Sequence, residues 1–292
     1  MKIRQTHGER VFEVVDIVLL SLIVVVTLYP FLHVLFASVS NSNLLAAHSG
    51  ILLHPLGWST AAYRTVLSNQ DIYSGYRNTL FLVVVGTLIS MTITILSAYV
   101  LSRKGFRFRR ALNFMAVFTM FFSGGLVPYF LQVRSLGLYD KLWALILPSA
   151  MSTYNLLVLR TAFFSVPESL EEAARIDGAQ DFTILFCIIL PITLPSLAVI
   201  ALFYGVGYWN AWFYSMVFLR TRAKYPLQLI LREILIMSSA DSMIDMDIND
   251  RAIVGQTIKY ATIIVSTVPI LMVYPFLQKY FVSGMMVGAV KE

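Results

Sequence analysis

Long apolar stretches separated by short polar segments dominate this sequence. Six of the stretches have about the 20 apolar residues that a helix needs to cross a lipid bilayer. They cover residues 14–36, 79–101, 111–133, 142–164, 184–207 and 258–281. The pattern predicts an all-α polytopic membrane protein with six transmembrane helices, and it assigns residues 1–292 to a single transmembrane domain.

Between the fourth and fifth apolar stretches lies a polar island, residues 168–181, with the sequence ESLEEAARIDGAQD. A short helix is predicted near residues 166–177, because five residues at helical spacing share one side. They are Val166, Leu170, Ala173, Ala174 and Asp177. Small, shallow side chains of this kind are suited to close docking in a groove of another protein.

The ends of this helix have recognisable signals. Ser165 followed three residues later by Glu168 has the pattern of a capping box, which marks a helix start. Gly178 is the expected end, because glycine adopts the left-handed conformation that terminates helices. Asp181 is placed to cap the helix that follows.

The orientation in the membrane is predicted from the short segment after the second apolar stretch. It holds five cations and no anion, namely Arg103, Lys104, Arg107, Arg109 and Arg110. Such a cluster indicates the cytoplasmic side. Counting spans from it places both termini and the polar island in the cytoplasm, and the long segments 38–78 and 208–257 outside.

Residues 226–240 are apolar but carry Arg232 and Glu233 at their centre. Charges in the middle of a membrane helix are costly. We therefore expect an amphipathic helix on the outer surface rather than a seventh crossing.

Composition agrees with a membrane protein. Of the 292 residues, 58% are hydrophobic and 13% are charged, whereas soluble domains carry about 25% charged residues. The net charge of +6 is spread over segments that flank the membrane, so it does not imply nucleic acid as a partner. Cys187 is the single cysteine, which excludes an internal disulfide and a cysteine-based zinc site.

The sequence offers little catalytic chemistry. It contains no Gly-Lys dipeptide and therefore no Walker A motif, and it contains no HExxH motif. The four histidines do not have the spacing of metal ligands. The chain is therefore expected to be neither an ATPase nor another enzyme, and to bind no metal or cofactor of its own.

Aromatic and amide side chains lie in the predicted outer half of the fourth stretch and at the predicted outer end of the fifth. Aromatic faces and amides suit sugar rings and hydroxyls, so these residues are candidates for a substrate path. They are Tyr154, Asn155, Tyr208, Trp209, Asn210 and Trp212. For the aromatic residues of 208–214 the alternative is an interfacial aromatic belt, in which the rings only anchor the protein at the lipid headgroups.

The segment 172–179, EAARIDGA, followed by ILP at 189–191 and by Pro195, resembles the EAA loop of bacterial ABC importer permeases. Nearly the whole chain resembles the sugar-importer branch, in particular its MalG-like subunit. Within that branch, YPLQLILRE at 225–233 is similar to permeases for complex oligosaccharides, and most of all to the shorter permease of an alginate importer.

This resemblance implies a coupling helix that docks in a cleft of a separate ATPase. The matching residues are Glu172, Ala173, Ala174, Asp177 and Gly178. It also implies that the C-terminal tail, with Gly288 and Lys291, contacts the ATPases. The implied partners are a second, different permease, two ATPase subunits that bind ATP and Mg, and an extracytoplasmic solute-binding protein. The implied location is the bacterial cytoplasmic membrane.

The expected function is import of an oligo- or polysaccharide by alternating access. An acidic, alginate-like substrate agrees with the predicted outer segments, which carry ten Lys or Arg and seven Asp or Glu residues. The alternatives are a secondary transporter or channel for a small polar solute, and an intramembrane enzyme. The first needs charged residues inside the spans and the second a catalytic pair, and the sequence offers few of the former and none of the latter.

Overall fold

The computed structural model of the protein describes residues 7–244, 255, 257–273 and 275, and for residues 237–244 it describes the backbone alone. Every regular element in this part of the chain is helical. The chain divides into two compact units. The first combines Met1–Asn69 with Glu233–Val268, and the second combines Gln70–Arg232 with Pro269–Glu292.

The first unit is built on one long apolar helix. Its helices are α1 (His7–Ser38), α2 (Ser42–Ala47), α3 (Ala61–Ser68), the part of the helix Leu227–Ile244 from Glu233 onward, and most of the helix Thr257–Val273. Nearly all apolar side chains of α1 are exposed, as expected for a helix that faces lipid or another chain. His33 packs edge-on against Tyr260 and lies within hydrogen-bond reach of Tyr29, so it is a packing residue.

The second unit holds most of the buried core. Its elements in chain order are α4 (Gln70–Phe81), a π-helical segment (Leu82–Gly86), α5 (Thr87–Ser102), α6 (Arg109–Phe121), α7 (Leu126–Ser135), α8 (Trp143–Ile146), α9 (Thr153–Phe164), α10 (Glu168–Ile176), α11 (Asp181–Ile184), a second π-helical segment (Leu185–Ile189), α12 (Leu190–Ile192), α13 (Leu194–Trp209), α14 (Phe213–Phe218) and the start of α15 (Leu227–Ile244). The helix α5 is central, because it packs along both α9 and α13.

Two described helices, His7–Ser38 and Gln70–Ser102, are each long and apolar enough to cross a membrane. Two further helix pairs meet this criterion only if each bent pair is taken as one span, which gives up to four. Thr257–Val273 is apolar but shorter. The fold is all-α as predicted, and the total of six spans stays a prediction.

Several predicted spans are interrupted in the structure. The stretch 111–133 bends by 118° between α6 and α7, where Gly125 has a φ of +84°. The stretch 184–207 bends by 86° at Thr193, just before Pro195, whose nitrogen has no hydrogen to donate to a continuing helix. The stretch 142–164 contains the separate helices α8 and α9.

The segment after α14 differs from its prediction. Leu227, Leu229, Ile230 and Leu231 are all less than 5% exposed, so the start of α15 is buried on all sides rather than on one face. The N–H of Leu227 donates to the Thr79 hydroxyl at 2.9 Å. The expectation of an amphipathic surface helix is therefore wrong for this half of α15.

Candidate functional site

The helix α10 occupies the polar island. Its N-cap is Pro167, which has no side-chain donor or acceptor for capping. Ser165 instead donates its hydroxyl to the Ala162 carbonyl at 2.8 Å. The predicted capping box is therefore wrong, because the Ser165 hydroxyl is already used by the turn that ends α9.

The C-terminus of α10 is the predicted glycine stop. Gly178 has a φ of +82°, and its N–H donates to the Arg175 carbonyl at 3.1 Å. The N–H of Ala179 reaches back to the Ala174 carbonyl at 2.9 Å. These two bonds form a Schellman motif, which satisfies carbonyls that the helix end leaves free. Asp181 does not cap the next helix as predicted; its carboxylate pairs with Arg175 at 2.5 Å.

Much of α10 is exposed. Leu170 is 43% and Ile176 86% exposed, although both are large apolar residues. Among the predicted docking residues, four are exposed, namely Glu172, Ala173, Asp177 and Gly178. Ala174 is half-buried and packs against the core of its own chain. The predicted common face is thus divided between an inward side and an outward side.

A charged recess of about 420 Å³ lies between α10 and the end of α5. We use the name charged recess for the surface lined by Tyr99, Arg103, Lys104, Glu168, Glu171, Glu172, Arg175 and Asp181. Three ion pairs cross it: Arg103–Glu171, Lys104–Glu168 at 2.5 Å, and Arg175–Asp181. Among the described residues, no ion-pair partner faces Glu172, which leaves its carboxylate available to another molecule.

A second concave surface, the aromatic cavity, has a volume of about 550 Å³. Five of the six predicted substrate-path residues line it: Tyr154, Asn155, Tyr208, Asn210 and Trp212. Its wall also includes Ser152, Phe203 and Tyr204, which were not among the predicted substrate-path residues. Tyr204 lies one helical turn before Tyr208, so the i, i+4 spacing of the two tyrosines was a usable signal.

Trp209 does not line the aromatic cavity. Its side chain is 6% exposed and packs edge-on against Tyr76, with ring centroids 6.3 Å apart. Successive residues on an α-helix point about 100° apart, because the helix has 3.6 residues per turn. Tyr208 and Trp209 therefore face different sides of α13, and adjacency in the sequence did not imply a shared wall.

The two tyrosines of the cavity wall are fixed to α5 by buried hydrogen bonds. The hydroxyl of Tyr208 lies 2.9 Å from that of Ser90, and the hydroxyl of Tyr204 lies 2.7 Å from that of Thr94. Tyr204 also accepts a bond from the backbone N–H of Ser152 at 3.0 Å. The wall of the cavity is therefore positioned by the same helix that ends at the charged recess.

Among the residues that the structure describes, no charged side chain lines the aromatic cavity. A cation lies next to one of the lining residues, where the Arg232 guanidinium packs over the Trp212 ring with its central carbon 4.7 Å from the ring centroid. A guanidinium nitrogen of Arg232 also lies 3.0 Å from the Met216 sulfur. The cavity thus combines aromatic faces, amides and hydroxyls with a cation next to Trp212.

Asp140 organises the segment that follows α14. Its carboxylate accepts bonds from the backbone N–H groups of Arg220 and Thr221, from the Thr221 hydroxyl and from Lys224. Desolvation acts to raise the pKa of Asp140, but these bonds outweigh it and hold the pKa well below the ordinary value of a carboxyl. Asp140 also has a φ of +56°, which is uncommon for a residue other than glycine.

No protein-family model matches the chain. It is 43% identical over 284 residues to the polygalacturonan/rhamnogalacturonan transport system permease protein YtcP of Bacillus subtilis, with 97% of this chain and 99% of YtcP covered. The chain belongs to the carbohydrate ABC transporter permeases. A second relative of this permease, LplC of Bacillus subtilis, is 38% identical over 286 residues, with 98% of the permease and 97% of LplC covered.

The fold of the permease matches a solved member of the family. A chain in the crystal structure of a bacterial ABC transporter involved in the import of the acidic polysaccharide alginate superimposes with a TM-score of 0.87. The two chains are 33% identical, and the match covers 96% of the permease and 100% of the other chain. The family resemblance stated from the EAARIDGA segment is therefore confirmed.

Some predicted features fall outside the described part of the permease. Gly288 and Lys291 of the expected ATPase-contacting tail lie outside the described residues, as does the end of the sixth predicted span. Within the described residues, no group of three His, Cys, Asp or Glu side chains could hold a metal ion.

Proposed function

We propose that this chain is one of two different permease subunits of an ATP-driven importer that moves an oligo- or polysaccharide into the cytoplasm. The exposed helix α10 carries the proposal. It displays exposed apolar side chains, the exposed carboxylate of Glu172 and a glycine stop. In this role α10 is the coupling helix, and it docks in a groove of a separate ATPase.

The contacts of the coupling helix follow from its exposed side. Ala173 gives close approach, while Leu170 and Ile176 supply apolar area that water otherwise covers. The free carboxylate of Glu172 pairs with a basic group of the ATPase. Asp177 and Gly178 shape the end of the docking surface, and Ala174 supports it from inside the permease. Gly288 and Lys291 add a second contact from the C-terminal tail.

ATP hydrolysis is assigned to the partners. Two ATPase subunits bind ATP and Mg, and this chain supplies no catalytic residue. Their closure moves the coupling helix, and the packed helices of the second unit then switch between discrete arrangements, as packed interfaces do. An extracytoplasmic solute-binding protein delivers the sugar. The membrane is the bacterial cytoplasmic membrane, and both termini face the cytoplasm.

The sugar passes the aromatic cavity. The faces of Tyr154 and Trp212 stack on sugar rings, and the amides of Asn155 and Asn210 bond to hydroxyls. The neutral lining of the cavity is unlike an ion-coupled secondary transporter, which uses charged residues within its membrane segments. This observation favours the importer over the secondary transporter or channel.

The best assignment of the substrate is an acidic glycan. YtcP is named for polygalacturonan and rhamnogalacturonan, and the solved relative for alginate, all of which carry carboxylates. On this chain, the cation of Arg232, which packs on Trp212, attracts such a carboxylate while the ring stacks on the sugar. Neutral oligosaccharides gain only the stacking and hydroxyl contacts.

The experiment is uptake by proteoliposomes that contain the complete complex. ATP inside the vesicles, with binding protein and labelled oligosaccharide outside, should give accumulation inside. Without ATP there should be none. Uptake of uronic-acid oligomers should exceed that of neutral oligomers of equal length, and Arg232→Gln should reduce this preference while Arg232→Lys keeps part of it. Failure of the permease to co-purify with any ATPase, or uptake independent of ATP, would contradict the proposal.

A further inference from the structure

We infer that the Arg103–Glu171 ion pair is the tether that fixes the coupling helix to the second apolar helix of the permease. The inference rests on the proposed function, because it explains how a movement of α10 reaches the substrate cavity. Arg103 and Glu171 are positioning residues in this scheme: they touch neither the sugar nor ATP.

Glu171 is the one buried residue of α10. It is 8% exposed, although it is a carboxylate in an otherwise exposed helix. A buried carboxylate is stable only when it is paired and hydrogen-bonded. Its partner is the guanidinium of Arg103, directly after the last residue of α5. This ion pair therefore joins α10 to the end of α5.

The guanidinium of Arg103 is oriented by its own helix. Its Nε donates to the Ser102 hydroxyl at 3.1 Å, and its central carbon lies 4.7 Å from the centroid of the Tyr99 ring. The Ser102 hydroxyl in turn donates to the Tyr99 carbonyl at 2.7 Å. The cation is thus held in place on the α5 side, as a rigid connection requires.

The neighbouring ion pair has a different character. Lys104 and Glu168 are 63% and 57% exposed at their side chains, whereas Arg103 and Glu171 are 21% and 10% exposed. Exposed ion pairs contribute little to stability, whereas breaking a buried pair leaves an uncompensated charge and is strongly destabilising. We therefore assign the coupling of α10 to α5 to the Arg103–Glu171 pair. The exposed Lys104–Glu168 pair joins the same two segments and serves as the control.

The connection continues through α5 to the aromatic cavity. Ser90 and Thr94, on the same helix as Arg103, hold Tyr208 and Tyr204 of the cavity wall. A movement of α10 that is transmitted to α5 therefore displaces the tyrosines that face the sugar. A loose α10 bound to the ATPase would move without α5, so ATP would be hydrolysed without transport.

The test is the number of sugar molecules transported per ATP hydrolysed by the reconstituted complex. We compare wild type with Arg103→Glu, Glu171→Arg and the double exchange of the two. Each single variant should lower the ratio by roughly fivefold or more, the low end of coupling factors in allosteric proteins. The double variant, which restores an ion pair of opposite polarity, should recover most of the ratio.

Two further variants separate the tether from general damage. Glu171→Gln keeps the shape of the side chain and removes its charge, so it should lower the ratio while the ATPase stays bound. Lys104→Glu reverses a charge in the exposed pair and should leave the ratio nearly unchanged. The tether would be contradicted if the ratio of sugar transported to ATP hydrolysed were unchanged in Glu171→Gln, Arg103→Glu and Glu171→Arg. It would also be contradicted if Lys104→Glu lowered this ratio as much as those variants do. Absence of ATP-dependent uptake in wild type would contradict the proposed function itself.

Discussion

The hydroxyl of Tyr208 lies 2.9 Å from that of Ser90 in the buried contact between α13 and α5. The ring of Tyr208 also rests on Gly86, and a Cβ added to Gly86 would lie 2.7 Å from ring atoms. No side chain larger than hydrogen fits there without moving the ring. The position of a cavity-lining tyrosine is therefore set by a glycine that is four residues before its hydrogen-bond partner.

Gly86→Ala should displace Tyr208 and disturb the aromatic cavity. Forcing a methyl group into a packed site typically lowers the free energy of unfolding by about 1–3 kcal/mol. We expect a lower melting temperature and a higher KM for sugar uptake. The matched control is Gly205→Ala, because a Cβ there meets its nearest atom at an ordinary 3.8 Å. Equal behaviour of the two variants would contradict the packing role of Gly86.

Replacing Gly178 should impair coupling through the backbone alone. A Cβ at Gly178 would meet nothing within 4 Å, so a larger residue causes no clash. Left-handed backbone costs an ordinary residue about 1–2 kcal/mol, and a β-branched residue resists it most. Gly178→Val should therefore reduce retention of the ATPase by the purified complex.

Gly178→Asn is the matched control for that experiment, because asparagine tolerates left-handed backbone. It should retain more ATPase than Gly178→Val, although it adds a side chain of similar size. Retention that is equally low in both variants would mean that the space around Gly178, and not its conformation, matters for docking.

Asp140 should make stability depend on pH in the acid range. Because its folded pKa is lowered, its contribution is fully present above the unfolded pKa of about 3.9 and is lost as the pH falls below it. The melting temperature of wild type should therefore fall more steeply below that pH than that of Asp140→Asn. Asp177→Asn, a change at an exposed aspartate, is the control. Parallel curves for Asp140→Asn and wild type would contradict the role of these hydrogen bonds.

The predicted orientation can be tested by labelling single cysteines in a Cys187→Ser background. His48 and Gly105 are both exposed in the structure, so a probe at either position is accessible to a reagent on its own side of the membrane. A membrane-impermeant thiol reagent added outside intact cells should label His48→Cys and leave Gly105→Cys unlabelled. Labelling of Gly105→Cys alone would contradict the predicted orientation and show that the opposite one is correct.

The sequence predicted the fold class and the helix α10 through signals that are local. Apolar length, the glycine at position 178 and the EAARIDGA segment each depend on neighbouring residues only. The capping box failed because Ser165 had a competing acceptor in the turn before it. The bends at Gly125 and Thr193 also escaped prediction, since an apolar stretch has the same composition whether it is straight or broken.

The aromatic cavity was predictable in part. Five of its residues stood out as aromatic or amide side chains in the outer half of the fourth apolar stretch or at the outer end of the fifth. The residues that position the two tyrosines could not be predicted. Ser90 and Thr94 are about 110 or more positions away in sequence from the tyrosines to which they are hydrogen-bonded. The Arg103–Glu171 pair was hidden for the same reason: both residues appeared as members of charged segments, and only packing distinguishes a buried charge from an exposed one.

Substrate-stimulated ATP hydrolysis by the purified complex with Ala173→Trp tests whether α10 couples this permease to an ATPase. Ala173 is exposed and its enlargement does not disturb the core of its own chain. The exposed alanine Ala46 in α2 provides the control Ala46→Trp. Overpacking of a docking groove costs about 1–3 kcal/mol, or roughly 5- to 150-fold in affinity. Ala173→Trp should lose the ATPase or the stimulation, and Ala46→Trp should keep both. Full retention and normal stimulation in Ala173→Trp would contradict the coupling-helix assignment.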